Sequence, residues 1–277
     1  MTFVFDQDKL AVQEFWNRRS CGEVYATGDT LAVQLEAQAR ARYELEPYIF
    51  EFARFDEGRG RDVLEIGVGM GADHLEWAKE SPRSLTGIDL TPRAIEMTRA
   101  RLDTYSLTSS LECGDAECLP FPDESFDLVY SWGVLHHSPD TPRAVAEVYR
   151  VLRPGGVARV MIYHRWSITG YLLWLRYGML SGRGLSEVYA RYLESPGTKA
   201  YTVAEAERLF EQFENVSARS QLSFGDLLRG AVGQRHDGML LRVAKRLWPR
   251  AIIRRVLSRH GLMLLVDAEK SASPPRA

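Results

Sequence analysis

The chain has 277 residues, of which 45% are hydrophobic and 26% charged, and these values fit a globular protein that buries a substantial core. Its formal net charge of −2 at pH 7 argues against nucleic acid as an obligate partner. The three cysteines, Cys21, Cys113 and Cys118, have neither metal-ligand nor disulfide-framework spacing. We therefore expect no metal site and a cytoplasmic, reducing environment.

The first part of the chain predicts a helical arm. Amphipathic helices are predicted over residues 8–19 and 30–55, within an arm or lid formed by residues 1–58. The first nine residues carry two aspartates and no apolar core, which argues against a secretory signal. The longest apolar run, 168–180, is too short to span a bilayer and contains Arg176.

From residue 59 the predicted strands and helices alternate. Thr91-Pro92 and Thr141-Pro142 are N-cap and N1 pairs that open two of the helices. Such alternation predicts an α/β fold, a doubly wound and mostly parallel sheet of seven strands, with the ligand site at the carboxyl ends of the strands. The predicted strands are residues 62–66, 85–88, 110–113, 126–131, 157–163, 216–224 and 262–266.

The rest of the chain completes this core within one structural domain. Arg153-Pro-Gly-Gly156 predicts a helix stop before the fifth strand, and Thr202 to Glu205 fits a capping box whose helix would run to about Phe213. We therefore expect residues 59–163 to form the cofactor-binding core. Residues 164–277 would complete it, with helical insertions over 164–200 and 225–258.

A glycine-rich loop follows the first predicted strand. Gly67, Gly69 and Gly71 let the backbone turn sharply and approach a ligand closely. With Ala72 the same string also satisfies the dinucleotide fingerprint, and Asp89 suits a ribose-binding acid in either case. The loop alone therefore leaves NAD and S-adenosylmethionine open.

Acidic residues around this loop favour the second cofactor. Glu65 precedes the glycines from inside the strand, which is awkward beside a pyrophosphate but suits a sulfonium and an ammonium group. Asp115 and Ala116 follow the third strand, where a carboxylate and a backbone amide can read an adenine edge. The fourth strand ends beside the same site at Ser131-Trp-Gly133.

Residues 62–163 resemble the core of class I S-adenosylmethionine-dependent methyltransferases, in particular the small-molecule group that includes the ubiquinone and menaquinone C-methyltransferases. The resemblance implies a Rossmann-like fold and methyl transfer to a small-molecule acceptor at O, N, S or C. It also implies that the glycine loop and Glu65 hold the methionine part of S-adenosylmethionine, and that Asp89 holds the ribose. The remaining implied contacts are Leu90, Asp115 and Ala116 at the adenine, Ser131, Trp132 and Gly133 at the methionine and sulfonium, and Tyr25 or Tyr43 as a lid.

A hydroxyl, thiol or acidic carbon acceptor would also need a base. The candidates lie just past the fourth and fifth strands and are His136, His137, Tyr163 and His164. The competing interpretation is that these histidines only order their loops. An NAD-dependent oxidoreductase and a non-catalytic cofactor-binding scaffold are the alternative functions.

The acceptor side is less defined by its sequence. Six aromatic residues after the fifth strand are candidates for a pocket wall or for core packing: Trp166, Tyr171, Trp174, Tyr177, Tyr189 and Tyr192. Between residues 229 and 259 there are nine Lys or Arg and one acid, Asp237. This segment predicts either a solvated face, contact with an anionic ligand, or a peripheral membrane contact. Its apolar candidates for a membrane contact are Leu240, Leu247, Trp248, Ile252 and Ile253.

Overall fold

The computed structural model describes residues 7–229 and 246–272. Seven strands form one sheet in the order β3-β2-β1-β4-β5-β7-β6. Only β7 runs antiparallel to its neighbours, so the predicted mostly parallel, doubly wound sheet is confirmed. The strands are β1 (Asp62–Ile66), β2 (Ser84–Asp89), β3 (Ser110–Cys113), β4 (Phe126–Trp132), β5 (Leu152–Tyr163), β6 (Glu214–Gln221) and β7 (Met263–Glu269).

Helices cover both faces of the sheet, and two of them begin at predicted caps, whereas the helix over Thr141–Val151 is capped by Asp140 instead of the predicted Thr141. The Thr91 hydroxyl accepts from the Ala94 N–H, and Thr202 and Glu205 form a complete capping box. The helices are α1 (Gln7–Arg18), α2 (Leu31–Leu45), α3 (Tyr48–Ala53), α4 (Ala72–Lys79), α5 (Pro92–Thr104), α6 (Thr141–Val151), α7 (Ile168–Tyr177), α8 (Leu185–Tyr192), α9 (Val203–Leu209) and α10 (Arg250–Val256). No helix within the described ranges combines the length and apolarity needed to cross a bilayer.

Prolines and glycines explain where predicted boundaries are wrong. The single helix predicted over 30–55 is divided at Glu46, because the following proline disfavours helical backbone at that residue. The helix before this segment ends at Val151, as the predicted helix stop requires. β5 nevertheless begins at Leu152 instead of 157, since residues 153–156 form an irregularity in the β4 pairing. Gly155 supplies the left-handed backbone that this irregularity needs.

One helix is shorter than its pattern predicts. α9 ends at Leu209 instead of Phe213, because Phe210 and Phe213 turn inward and are both buried in the core. Within the helical insertion predicted over 225–258, the described residues include α10, which starts after Pro249. The middle of that prediction, residues 230–245, lies outside the described residues.

The sheet separates two apolar cores. Alternate strand residues face opposite sides: Val63 and Leu128 pack with Trp77, whereas Leu64 and Val129 pack with Val148. The strand order reverses between β1 and β4, and this reversal opens a crevice at their carboxyl ends. The fold therefore fixes the position of a ligand site before any side chain of the site is considered.

Candidate functional site

A cavity of about 350 Å³ lies at the carboxyl ends of the central strands. At its polar end it collects residues from the ends of four different strands, between Glu65 and Gly133 in the chain. Most of the residues that the sequence assigned to a cofactor line this one cavity: Glu65, Gly67, Gly69, Asp89, Leu90, Asp115, Ala116, Trp132 and Gly133. Their individual roles toward a cofactor stay predictions.

The glycine loop has left-handed backbone at all three glycines, with φ of 83° at Gly67, 54° at Gly69 and 73° at Gly71. A Cβ on Gly67 would lie 2.0 Å from Cγ2 of Val134, so the loop and the segment after β4 are packed in direct contact. A Cβ on Gly69 would meet nothing within 4 Å, which leaves backbone exposed to the cavity. Gly71 packs on Thr98 and shapes the loop from outside the cavity.

Asp89 is fixed to this loop by hydrogen bonds. Its carboxylate accepts from the Gly69 N–H at 3.0 Å, and from the Thr91 N–H and hydroxyl at 2.9 Å each. Burial raises the pKa of Asp89, while the hydrogen bonds from Thr91 and Gly69 act in the opposite direction. The carboxylate is therefore held rigidly at the rim of the cavity, as a receptor for two adjacent hydroxyls requires.

Glu65 is oriented by a histidine that the sequence analysis missed. His74 Nδ1 lies 2.9 Å from Glu65 Oε2, and its Nε2 lies 2.8 Å from the Ser109 hydroxyl. Burial lowers the pKa of His74 to about 3, so this contact is a hydrogen bond with a neutral imidazole. Burial raises the pKa of Glu65 well above its ordinary value, and the nearby Asp73 carboxylate raises it further. A cationic ligand group at this position would stabilise the ionised form of Glu65.

The N-terminal arm covers the Asp115 end of the cavity. Lys9 Nζ of α1 lies 2.6 Å from Asp115 and 2.5 Å from Glu117, and the Gln13 amide donates to the Leu90 carbonyl at 2.8 Å. Neither arm residue belongs to a local motif, and only tertiary packing brings them to the site.

Helix α2 is anchored by a buried ion pair. Arg42 donates to both Asp73 oxygens, with distances of 2.8 Å from Nε and 2.6 Å from Nη2. The hydroxyls of Tyr43 and Tyr130 donate to the same carboxylate at 3.1 and 2.8 Å. Arg42 and Asp73 both line the cavity, so the arm is continuous with the site wall. Tyr43 is therefore engaged beneath the site, in contact with Asp73.

Besides Gly71, four predicted site residues lie outside the cavity lining. Ser131 is buried and its hydroxyl donates to the Ile66 carbonyl at 3.0 Å, because alternation along β4 turns it away from the side that Trp132 occupies. Tyr25 lies in a short turn of the arm. His136 is buried in the core, with its ring centroid 4.0 Å from that of Tyr163, and burial lowers the pKa of His136 well below the ordinary value. His164 donates through Nδ1 to the Gly261 carbonyl.

His137 and Tyr163 are the two candidate bases that face the cavity. His137 Nδ1 lies 2.8 Å from Ser195 Oγ and 3.1 Å from Thr198 Oγ1, while its Nε2 lies 3.4 Å from Glu194 Oε2. The Tyr163 hydroxyl donates to the same Glu194 oxygen at 2.6 Å. Glu194 was not among the predicted site residues, and the structure brings the turn that follows it to the histidine.

The far wall of the cavity is mostly aliphatic, although Phe224 and Arg176 also line the cavity. None of the six aromatic residues considered for an acceptor pocket lines it: Tyr189 is core, Tyr177 and Tyr192 stack on each other, and the other three are exposed in part. The same helices turn other side chains inward instead. The apolar lining includes Leu172, Leu173, Leu193, Phe224, Leu228, Leu262 and Met263.

Cys21 lines the boundary between the polar and apolar parts of the cavity. The residue as a whole is solvent-exposed, and desolvation of its free thiol together with the Glu194 carboxylate raises the thiol pKa to about 12. The thiol is therefore protonated at neutral pH.

Comparison with known proteins gives a consistent result. A methyltransferase-domain family model matches residues 64–160. The chain is 34% identical over 175 residues to the demethylmenaquinone methyltransferase of Tropheryma whipplei, covering 60% of this chain and 71% of that protein. It is 46% identical over 99 residues to the phthiotriol/phenolphthiotriol dimycocerosates methyltransferase of Mycobacterium leprae.

The similarity differs in extent between these relatives. The match covers 35% of this chain and 36% of the length of the mycobacterial relative. Among solved structures, the phosphoethanolamine N-methyltransferase 2 of Haemonchus contortus, in complex with S-adenosyl-L-methionine, has a TM-score of 0.62 at 15% identity. That alignment covers 94% of this chain and 60% of the other, and it shows the shared fold.

Proposed function

Because the chain belongs to the class I S-adenosylmethionine-dependent methyltransferases, we propose that it binds S-adenosylmethionine in the strand-end cavity and methylates a small-molecule acceptor there. The observation that carries this proposal is the rigid junction of Asp89 with the Gly69 amide, beside a buried Glu65. A ribose diol fits the first group and a cationic methionine end fits the second. The carboxylates around the loop disfavour the pyrophosphate of NAD, so an oxidoreductase is not favoured.

In this proposal the residues of the chain bind the cofactor, orient the acceptor and exclude water. S-adenosylmethionine supplies an already activated methyl group, so alignment of the acceptor is the main requirement, worth roughly 7–11 kcal/mol in favourable systems. In this proposal Asp115 and Ala116 hold the adenine edge and Leu90 flanks it. Trp132 and Gly133 lie beside the reacting end.

The three segments of the chain take different parts in this scheme. Residues 1–58 act as a lid through the contacts of Lys9 and Gln13, residues 59–163 bind the cofactor, and the segment from 164 supplies the acceptor wall. The three free cysteines agree with a cytoplasmic location for this activity.

We propose an apolar acceptor. The aliphatic far wall supports this, since such a surface gains free energy when it is covered by apolar groups. Two relatives carry names with extended apolar substrates, demethylmenaquinone and phthiotriol dimycocerosates, and those names support the same class of acceptor here.

The cofactor proposal is tested by thermal shift with S-adenosylhomocysteine and with NAD. We expect stabilisation by the first and none by the second. Asp89→Ala should weaken S-adenosylhomocysteine binding at least tenfold, about 1.4 kcal/mol, whereas Asp103→Asn on the exposed side of α5 should not change it. Stabilisation by NAD alone would overturn the proposal.

We also propose that α10 makes peripheral contact with an anionic membrane. Leu247, Ile252 and Val256 are 76%, 61% and 68% exposed, beside the exposed Arg254 and Arg255. This combination of exposed apolar and cationic side chains favours a lipid surface that carries negative charge.

The structure changes which residues can make this contact. The Trp248 indole donates to the Asp226 carbonyl, and Ile253 is 4% exposed in a cluster with Ile168, so both face the protein. Leu240 and Asp237 lie outside the described residues.

Sedimentation with phosphatidylglycerol and phosphatidylcholine vesicles tests the membrane proposal. We expect binding to the anionic vesicles that weakens more than tenfold in Arg254→Glu/Arg255→Glu, since each basic residue contributes about 1 kcal/mol at such a surface. Arg208→Glu on exposed α9 is the matched control. Equal sedimentation of the double variant and the control would remove α10 from the contact.

A further inference from the structure

The side chains around His137 determine which of its nitrogens can accept a proton. The imidazole is 5% exposed, and both ring nitrogens are within reach of oxygen atoms. On one side are Ser195 and Thr198, and on the other is Glu194. This arrangement deepens the methyl-transfer function proposed above and depends on it.

The hydrogen bonds of Thr198 indicate the tautomer. Its hydroxyl donates to the Ser195 carbonyl at 2.7 Å, so its single hydrogen is used there. Toward His137 Nδ1, 3.1 Å away, the Thr198 oxygen must therefore act as an acceptor. The Thr198 contact favours a proton on Nδ1 of the neutral ring, which places the lone pair of the imidazole on Nε2. Ser195 Oγ, 2.8 Å from Nδ1, can donate or accept and fits either tautomer.

Nε2 has no hydrogen-bond partner within the described part of the chain, although it is buried. It points to the side of the ring where Glu194 and Tyr163 line the cavity. A buried acceptor nitrogen without a donor is costly, and a ligand O–H placed there would satisfy it. The geometry thus requires a donor that this part of the protein itself does not supply.

Glu194 is held so that it supports a protonated His137. The Tyr163 hydroxyl donates to Glu194 Oε2 at 2.6 Å, which fixes the carboxylate 3.4 Å from Nε2. A carboxylate at this distance stabilises an imidazolium and disfavours an anion in the same place. Burial and the Glu194 charge raise the pKa of Tyr163 well above the ordinary value, so Tyr163 remains a donor and does not compete as the base.

We propose that His137 is the catalytic base for an acceptor that carries a hydroxyl group, and that Glu194 is its positioning residue. The acceptor O–H bond breaks and its proton moves to Nε2. The electron pair left on oxygen forms the new bond to the methyl group. The bonding pair of the broken S–CH3 bond stays on sulfur as a neutral thioether. The proton leaves His137 for solvent when the product departs.

An amine acceptor has no need of this arrangement. A neutral amine already carries the lone pair that forms the new bond, and it can lose its proton after transfer. The pair of His137 and Glu194 would therefore not assist methyl transfer to an amine. The aliphatic remainder of the cavity selects an apolar body for the same molecule, so the proposed class is an alcohol, phenol or hydroquinone with an apolar substituent.

The first test observes His137 directly. Nitrogen-15 NMR of histidine-labelled full-length protein, saturated with S-adenosylhomocysteine, reports which ring nitrogen is protonated. We expect the neutral Nδ1–H tautomer in the wild type, identified by loss of its signals in His137→Asn. The Nε2–H tautomer would overturn the base assignment, whatever the result of any rate measurement. Failure of S-adenosylhomocysteine to bind would instead overturn the cofactor proposal.

The second test offers para-nonylphenol and para-nonylaniline to the full chain with saturating S-adenosylmethionine. We expect methylation of the phenol, about a hundredfold loss of kcat in His137→Asn, and about a tenfold loss in Glu194→Gln with KM and S-adenosylhomocysteine affinity unchanged. The acidic limb of the Glu194→Gln rate profile should move to lower pH, an effect that a purely structural role would not produce. Glu187→Gln, on the exposed side of α8, is the matched control.

Several outcomes of the second test would overturn the proposal. One is transfer to the aniline alone or to neither probe. Another is a wild-type rate in either the His137 or the Glu194 variant. A Glu194→Gln protein that lost S-adenosylhomocysteine affinity together with kcat would show a structural role for this carboxylate, and would also count against it.

Discussion

The cofactor end of the cavity is built from backbone turns at strand ends, whereas the acceptor end is built from side chains of helices far apart in the chain. At the first, Gly69 and Asp89 are connected by one hydrogen bond between adjacent strand termini. At the second, His137 meets a turn near Glu194 that lies 57 residues further along the chain. The first end thus depends on local conformations, and the second on how separate helices pack.

The N-terminal arm is also held in place by the packing of segments that are distant in the chain, but it contacts the cofactor end of the cavity. Arg42 reaches Asp73 in the first turn of α4 and also lies over the Trp132 ring, 5.5 Å from its centroid. A single side chain therefore connects the arm, the loop helix and β4. We therefore expect substitutions of buried charged residues to lower the stability of the whole fold. Substitutions in the glycine loop should act mainly on cofactor binding.

The largest expected effect is on the buried ion pair. Arg42→Met should lower the free energy of unfolding by about 3–5 kcal/mol, because it leaves the 4%-exposed Asp73 carboxylate without its charge partner. Arg40→Met on the exposed side of α2 should change it by less than about 0.5 kcal/mol. Urea denaturation measures both. Equal midpoints for the two variants would mean that the arm does not unfold together with the core.

An intermediate effect is expected in the glycine loop. Gly67→Ala should cost about 2–4 kcal/mol, since it adds a contact with Val134 to left-handed strain, and should sharply weaken S-adenosylhomocysteine binding. Gly69→Ala adds strain without a contact and should cost about 1–2 kcal/mol. Thermal denaturation and calorimetric titration distinguish them. If Gly69→Ala destabilised the fold more, the packing of Gly67 on Val134 would not be the reason for glycine there.

The third effect is absent at neutral pH, develops as the pH falls, and concerns His136. His136 is fully buried and its pKa is lowered well below the ordinary value, so it stays neutral in the folded protein while the unfolded chain takes up a proton below about pH 6.5. Stability therefore falls as pH decreases through that value, by up to about 1.4 kcal/mol per pH unit for one such group. His74, with a pKa of about 3, contributes in the same direction.

His136→Phe should remove the His136 contribution. Its free energy of unfolding, measured by urea denaturation between pH 6.5 and pH 4, should fall less steeply than that of the wild type. Parallel pH dependences for the two proteins would show that His136 is protonated in the folded state, and the assignment of this residue to the core would then be lost.

Much of the fold could be predicted because its signals are local. The strand over Ser110–Cys113 has the predicted bounds, and the Thr91 and Thr202 caps start their helices as expected. The errors are at positions where tertiary pairing overrides the local pattern. β5 extends through Gly155, because pairing with its neighbours continues across a sequence that resembles a helix stop.

In the candidate site, too, only the features that depend on local signals could be predicted from the sequence. Adjacent histidines illustrate the limit: His136 and His137 have identical side chains and neighbouring positions, yet one is sealed in the core and the other faces the cavity. The turn that contains them decides this, and no periodicity in the sequence indicates its orientation. Lys9 was missed for a similar reason, since it resembles an ordinary surface charge of an amphipathic helix.

By itself the sequence determined the sheet, the glycine loop and the acids at the strand ends. Strand period, helix caps and left-handed glycines are properties of a few consecutive residues, and parallel strands bring their carboxyl ends together in any such sheet. Only the tertiary structure decided that Glu194 meets His137, that His74 orients Glu65, and that aliphatic instead of aromatic side chains form the far wall. Those contacts depend on how helices rotate and pack, and that is fixed by the whole core.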